Sequence, residues 1–183
     1  MDNILLIKNA LSDKHLELCL QEVESNRKLA TPSELDDVNF STRWYPPAKS
    51  LIPNIIEELL WSDKVKKEII PLKDLAWKWF LSGRAAAFEV QVTFYLKNNF
   101  YSWHTDHETG VNRILNYILY ISEVEGGVLQ IANDYEGEDK EYNIDLEVKP
   151  EVNKLVIIPS WMKHRVVPVI SGERMTINGH VGI

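Results

Sequence analysis

The sequence predicts a mainly β fold with added helices, a double-stranded β-helix (jelly roll) buttressed by N-terminal helices. Three observations predict it. Two stretches in the first 72 residues carry apolar side chains at helical spacing. From residue 74 onward there are about eight short runs rich in β-branched and aromatic residues, separated by turn signals and with no helical stretch between them. Finally, the 183 residues contain no internal repeat, low-complexity tract or Gly/Ser linker. They read as a single domain, with 1–72 as helical buttress and lid loop and 73–183 as jelly-roll core.

Taken in order, residues 4–7 read as a short strand. Ser12 is placed to N-cap a helix running to about Glu24, with Leu16, Leu20 and Val23 at helical spacing. Residues 27–47 are polar and irregular and end in Trp44-Tyr45-Pro46-Pro47, so they read as a long loop able to cover a site. A second helix is expected over 52–66, its apolar stripe formed by Ile55, Ile56, Leu59 and Leu60. Strands are then expected near 74–82, 86–97, 113–122, 127–132, 142–148, 154–159, 164–169 and 173–181. The alternation of Trp77 and Trp79 supports the first of these. The acidic run at 134–141 reads as a solvated loop.

Composition narrows the function. The chain has 27 acidic and 20 basic residues and a net charge of −7. That balance argues against a nucleic-acid binder, whose affinity rests on neutralising phosphates. No apolar run approaches the roughly 20 residues that span a bilayer. Residues 1–8 carry an acid where a signal peptide carries a base, so neither membrane association nor export is expected. The single cysteine, Cys19, has no partner for an internal disulfide, which suits a reducing, cytoplasmic setting. Six of the acids lie within 134–145, which favours a neutral or basic substrate.

The chemistry concentrates in a few residues. In Trp103-His104-Thr105-Asp106, the imidazole and the carboxylate are two apart, and on an extended chain such residues face the same side. His164, after the turn 159–163, can supply a third ligand. Two histidines and one carboxylate form the facial triad of non-haem Fe(II) oxygenases, which leaves metal positions open. Ten residues beyond His164 comes Arg174, with Thr176 two further on the same strand face. Arg174 can grip a carboxylate with its planar fork, and Thr176 can add a hydroxyl bond. An iron site beside a cationic anchor describes a pocket for a 2-oxo acid.

The other candidates read as structural. His107 points away from Asp106. His15 and His180 have no carboxylate at ligand spacing. Trp103 faces away from the metal pair by strand parity. Cys19 sits at an apolar helical position. Gly126-Gly127 suits a tight turn or close backbone approach.

The stretch from Phe88 to Ile183 resembles the catalytic core of the Fe(II)/2-oxoglutarate dioxygenases, in the prolyl 4-hydroxylase-like branch. Its segments run in family order. Tyr95 is followed by Tyr101-Ser102-Trp103-His104-Thr105-Asp106, then by Arg113-Ile114-Leu115-Asn116-Tyr117-Ile118-Leu119-Tyr120 and Glu125-Gly126-Gly127. The series continues through Ile157-Ile158-Pro159-Ser160 to His164-Arg165-Val166-Val167-Pro168 and Ser171-Gly172-Glu173-Arg174. The resemblance implies that His104, Asp106 and His164 ligate iron, that Arg174 and Tyr120 meet the distal carboxylate of 2-oxoglutarate, and that Tyr95 lies along it. Tyr120 follows Asn116 and Ile118 at period 2, so all three would line the inner face.

The implied reaction hydroxylates a C–H bond with O2 and 2-oxoglutarate, releasing succinate and CO2, with ascorbate as a conceivable accessory reductant. Asp106 argues for hydroxylation, since related halogenases carry a small residue there. The branch favours an amino-acid or peptidyl substrate, proline among them. Two other readings stand beside it: a non-catalytic jelly-roll binding module, which predicts a degraded triad or a lost anchor, and a His-x-Asp…His zinc hydrolase, which has no need of Arg174.

Overall fold

In the computed structural model, residues 3–33, 41–72, 75–83, 87–107, 112–132 and 142–182 are described. The expected acidic loop at 134–141 and residues 34–40 of the expected lid lie outside them.

The N-terminal third builds a helical layer and one end of a sheet. Strand β1 (Leu5–Ile7) leads into helix α1 (Asp13–Asn26), capped by Ser12, whose hydroxyl accepts the His15 N–H at 3.2 Å. The expected loop at 27–47 holds more order than its composition suggests. It contains a 3-10 turn (Arg27–Leu29) and two short strands, β2 (Thr31–Pro32) and β3 (Ser41–Trp44). Strand β2 is the edge strand, where Pro32 needs no outer ladder donor, and β3 exists because its neighbours β2 and β5 complete its hydrogen bonds.

The single helix expected over 52–66 is two helices. Helix α2 (Leu51–Leu60) is capped by Ser50, and α3 (Asp63–Ile69) restarts at Ser62, whose hydroxyl accepts the Val65 N–H at 3.3 Å. A Ser-Asp pair is itself a helix start, and here it outweighs the continuous apolar stripe. The strand expected at 74–82 is also corrected, because Leu75–Leu81 forms helix α4. Ala76, Trp77 and Phe80 are buried at helical spacing, while Trp79 is only half-buried. Over seven residues, Trp77 and Trp79 match period 2 while Ala76, Trp77 and Phe80 match period 3.6, and packing decides: Phe80 stacks on Trp61 with ring centroids 4.5 Å apart.

From here the chain is β-structure. It runs through β4 (Ala87–Phe88), β5 (Gln91–Tyr95), β6 (Tyr101–His104), β7 (Arg113–Tyr120), β8 (Glu125–Gly126) and β9 (Leu129–Ala132). The remaining strands are β10 (Leu146–Val148), β11 (Leu155–Pro159), β12 (Lys163–Val166), β13 (Val169–Ser171) and β14 (Arg174–Gly182). The major sheet has the order β1-β11-β7-β14-β5-β3-β2, with β4 also pairing β14; the minor sheet has the order β10-β9-β12-β6. All of these pairs are antiparallel. This is the expected jelly roll, as two facing sheets that do not close into a barrel.

The two faces of the major sheet differ. Leu115, Tyr117 and Leu119 of β7, Ile177 of β14, Val92 and Phe94 of β5 and Trp44 of β3 pack in one core with the helices. Cys19 of α1 belongs to it, and burial, aided by the charge of Glu22, pushes its thiol up to about 12. The opposite face joins the minor sheet through a smaller core of Tyr95, Tyr120, Val156 and Ile158 against Leu129, Ile131 and Val166. The remainder of that inner face is polar.

Candidate active site

His104 ends β6, and His164 lies in β12 directly opposite it in the antiparallel register. Their rings lie 4.2 Å apart. Each Nδ1 faces a backbone carbonyl two residues earlier, Ser102 O at 2.8 Å and Met162 O at 3.0 Å. A carbonyl can only accept, so both Nδ1 atoms carry the proton and both Nε2 atoms are left for a proton or a metal.

Asp106 lies just beyond β6, held by its N–H to Ser160 O at 3.0 Å. Ser160 is fixed in turn, its hydroxyl donating to Arg113 O at 2.7 Å. Asp106 Oδ2 is 3.3 Å from His164 Nε2, and Oδ1 is 3.8 Å from His104 Nε2. Ligand atoms from His104, Asp106 and His164 all lie within 4.8 Å of one another. Donors bound to one ion at about 2.1 Å and at right angles sit about 3 Å apart, so small side-chain movements suffice to close on a metal.

The electrostatics suit a cation. Burial, then the neighbouring His164, pushes His104 down to about 3, so it is neutral at ordinary pH. For Asp106, burial pushes the carboxyl up, but the hydrogen bond and charge of His164, followed by His104, outweigh it and hold it well below the usual carboxylate range. A neutral imidazole and an ionised carboxylate are the states a metal requires.

A further pair orients the carboxylate. Asn116 of β7 donates its Nδ2–H to Asp106 Oδ2 at 2.6 Å. Asn116 Oδ1 lies 2.8 Å from Nδ1 of His180, its direct partner on β14. Parity along β14 could have revealed His180, since Arg174, Thr176, Asn178 and His180 are spaced by two and so face one side. Counting only carboxylates near a histidine in sequence hides it.

Arg174 opens β14. It is 2% exposed, and its guanidinium carbon lies 5.0 Å from the Tyr95 ring centroid and 5.1 Å from that of Tyr120. Gly127 (φ +59°) makes room for it: a Cβ there would come within 2.9 Å of Arg174 Cδ. The adjoining Gly126 (φ +79°) lies so close to the backbone of Pro168 and Ile170 that no side chain could enter. Among the described residues, Arg174 Nε and the Tyr120 hydroxyl are buried without hydrogen-bond partners, and no acidic side chain forms an ion pair with Arg174. A buried cation without a counter-charge costs several kcal/mol, so the chemistry of this pocket suits an anion. Thr176 lies on the same face, with its hydroxyl donating to Asn178 Oδ1 at 3.1 Å.

The triad, Arg174, Thr176 and Tyr95 share a cavity of about 310 Å³. Leu129 and Val166 give it an apolar wall, and Arg43, Tyr101 and Asn178 add polar groups that the spacing of the sequence did not single out as ligands. His107 instead faces a separate hollow with Trp161 and Lys163. Trp103 lies under the Arg165 guanidinium at 4.7 Å, a packing role. His15 stays on α1, away from this cavity.

Residues 90–182 match the family model described as the 2OG-Fe(II) oxygenase superfamily. No curated protein matches the chain. Among solved structures, a Pseudomonas putida prolyl-4-hydroxylase is 17% identical, with a TM-score of 0.72, over 98% of this chain and 92% of that one. A Trichoplax adhaerens prolyl hydroxylase, solved with a hypoxia inducible factor peptide fragment, is 15% identical, with a TM-score of 0.73, over 100% and 84%. The viral collagen prolyl hydroxylase of Paramecium Bursaria Chlorella virus-1, solved with 2OG, is 16% identical, with a TM-score of 0.61, over 98% and 95%. At these identities the likeness speaks to the fold.

Proposed function

The chain belongs to the 2OG-Fe(II) oxygenase superfamily, and from that premise we propose that it hydroxylates a C–H bond of an amino-acid or peptidyl substrate, proline among the candidates. The family uses Fe(II), 2-oxoglutarate and O2. In this reading His104, Asp106 and His164 hold the iron, and Arg174 holds the far carboxylate of 2-oxoglutarate. The observation that carries it is Arg174, buried in the same cavity as the His-Asp-His cluster with no acidic partner among the described residues. A zinc hydrolase offers no use for that cation, and a degraded binding module would not keep both features.

Each residue's part follows from its surroundings. The Nδ1 bonds to Ser102 O and Met162 O aim both Nε2 atoms at one point. Asn116 restrains Asp106 so that its carboxylate meets the metal in one orientation. The rings of Tyr95 and Tyr120 hold Arg174 in place, and the Tyr120 hydroxyl beside it can donate to the same carboxylate. Thr176 would join by turning its proton away from Asn178. Leu129 and Val166 keep water from the reacting centre. When bound, iron and 2-oxoglutarate supply the oxidising chemistry, with O2 consumed, succinate and CO2 released and one oxygen atom inserted into substrate. The whole of 1–183 acts as one catalytic domain, and the single cysteine suits a reducing, cytoplasmic setting in which iron stays ferrous.

The test is anaerobic addition of Fe(II) and 2-oxoglutarate. A weak visible charge-transfer band is expected, together with succinate release once O2 and a substrate are admitted. No band, with tight Zn(II) binding and hydrolysis instead, would remove this reading.

A further inference from the structure

Resting on the proposed function, a second arginine in the same cavity bears on the substrate. Arg43 lies on β3, which pairs with β5 on one side and β2 on the other, with Arg43 opposite Thr93 and Ser41 opposite Tyr95 across β5. Its neighbour Trp44 is buried on the helix side, so Arg43 belongs to the other face and lines the cavity with His104, Asp106 and Arg174. The Tyr101 hydroxyl is its polar neighbour, and the Tyr101 ring packs edge-on against His104 with centroids 3.9 Å apart. Arg43, Tyr101 and the triad are therefore contiguous.

The other described arginines are provided for. Arg27 pairs with Glu173, and Arg113 pairs with Glu89 at 3.0 Å. Arg165 donates to Gln130 Oε1 at 2.7 Å and lies over Trp103. Arg174 is assigned to 2-oxoglutarate. Arg43 Nε is buried without a hydrogen-bond partner, and among the described residues no acidic side chain forms an ion pair with the guanidinium. Such a fork, half-buried at a cavity with an unpartnered Nε and the Tyr101 hydroxyl beside it, is poorly solvated and can take a bidentate anion. Because Arg174 is the more deeply buried of the two, the two cations can serve separate carboxylates. The cavity of about 310 Å³ lies within the range of small-ligand sites.

We infer that Arg43 anchors a carboxylate of the primary substrate, and that this substrate is a small carboxylic acid, a free α-amino acid being the simplest. The net charge of −7 taken alone favours a neutral or basic substrate, but local pairing at the cavity governs recognition more directly than screened charges elsewhere on the surface.

The full chain, loaded with Zn(II) and 2-oxoglutarate so that no turnover occurs, is titrated by calorimetry with free L-amino acids and with their carboxamides. At least one acid should bind, with its carboxamide weaker by about tenfold or more. Arg43→Gln should erase that ratio, and Arg43→Lys should restore part of it. Both variants should keep the circular dichroism spectrum and the Fe(II)/2-oxoglutarate charge-transfer band. An acid-to-amide ratio unchanged by Arg43→Gln overturns the inference, as does a panel in which no free acid binds below about 10 mM. Absence of the charge-transfer band in the unsubstituted chain would instead be a failure of the iron and 2-oxoglutarate reading.

Discussion

The two faces of the major sheet are made from the same strands and do opposite work. On β7, Leu115, Tyr117 and Leu119 face the helices, while Asn116, Ile118 and Tyr120 face the cavity or the inner core. On β14, Ile177 and Val181 join the helix side, while Arg174, Thr176, Asn178 and His180 line the cavity. One face gains free energy by removing apolar surface from water. The other holds cations, amides and imidazoles that cost free energy until an ion or ligand completes them. The contrast separates stability from function at a spacing of one residue, and substitutions on the two faces should fail in different assays.

The largest effect is expected from Asp106→Ala, which should abolish succinate production and metal binding while leaving the thermal transition nearly unchanged. His107→Ala, one residue away and facing a different hollow, should leave both intact; equal loss in the two variants would break the site assignment. Leu119→Ala, on the helix face, should lose about 2–5 kcal/mol of stability in denaturant titration, with metal affinity per folded molecule preserved.

Arg174→Met should raise the 2-oxoglutarate requirement roughly hundredfold with Fe(II) affinity nearly kept. Its stability should hold or rise, because a buried cation with no counter-charge among the described residues is removed. A large loss of stability would make Arg174 a structural residue and blur the two faces. The smallest of these effects is expected from Asn116→Leu. Removing the 2.6 Å bond to Asp106 should weaken Co(II) or Mn(II) binding roughly tenfold, read by direct titration. Asn116→Asp should do worse than Leu, since it sets a second carboxylate against the first.

Much of the site was legible because its spacing is local. His104 and Asp106 share a side of an extended chain, and Arg174 and Thr176 share a strand face, whatever else the chain does. Ser12 marked a helix start for the same reason. Where two periods competed over a short stretch, the sequence was ambiguous: Trp77 and Trp79 match a strand, and only burial of Ala76, Trp77 and Phe80 in the helix-side core, with Phe80 on Trp61, makes 75–81 a helix. Ser62 carried a visible stop and restart that the continuous apolar stripe concealed.

What the sequence by itself determined was the inventory: a jelly roll with a helical buttress, a His-x-Asp pair, a distant histidine and an arginine ten residues beyond it. Tertiary structure alone decided which of these meet. His164 stands opposite His104 only because β12 pairs with β6. His180 reaches Asp106 through Asn116 only because β14 pairs with β7. Arg43 leaves an apparent loop for the cavity only because β5 offers its edge to β3. Strand pairing joins residues far apart in the chain through backbone hydrogen bonds that carry no side-chain signature, so it cannot be read from periodicity.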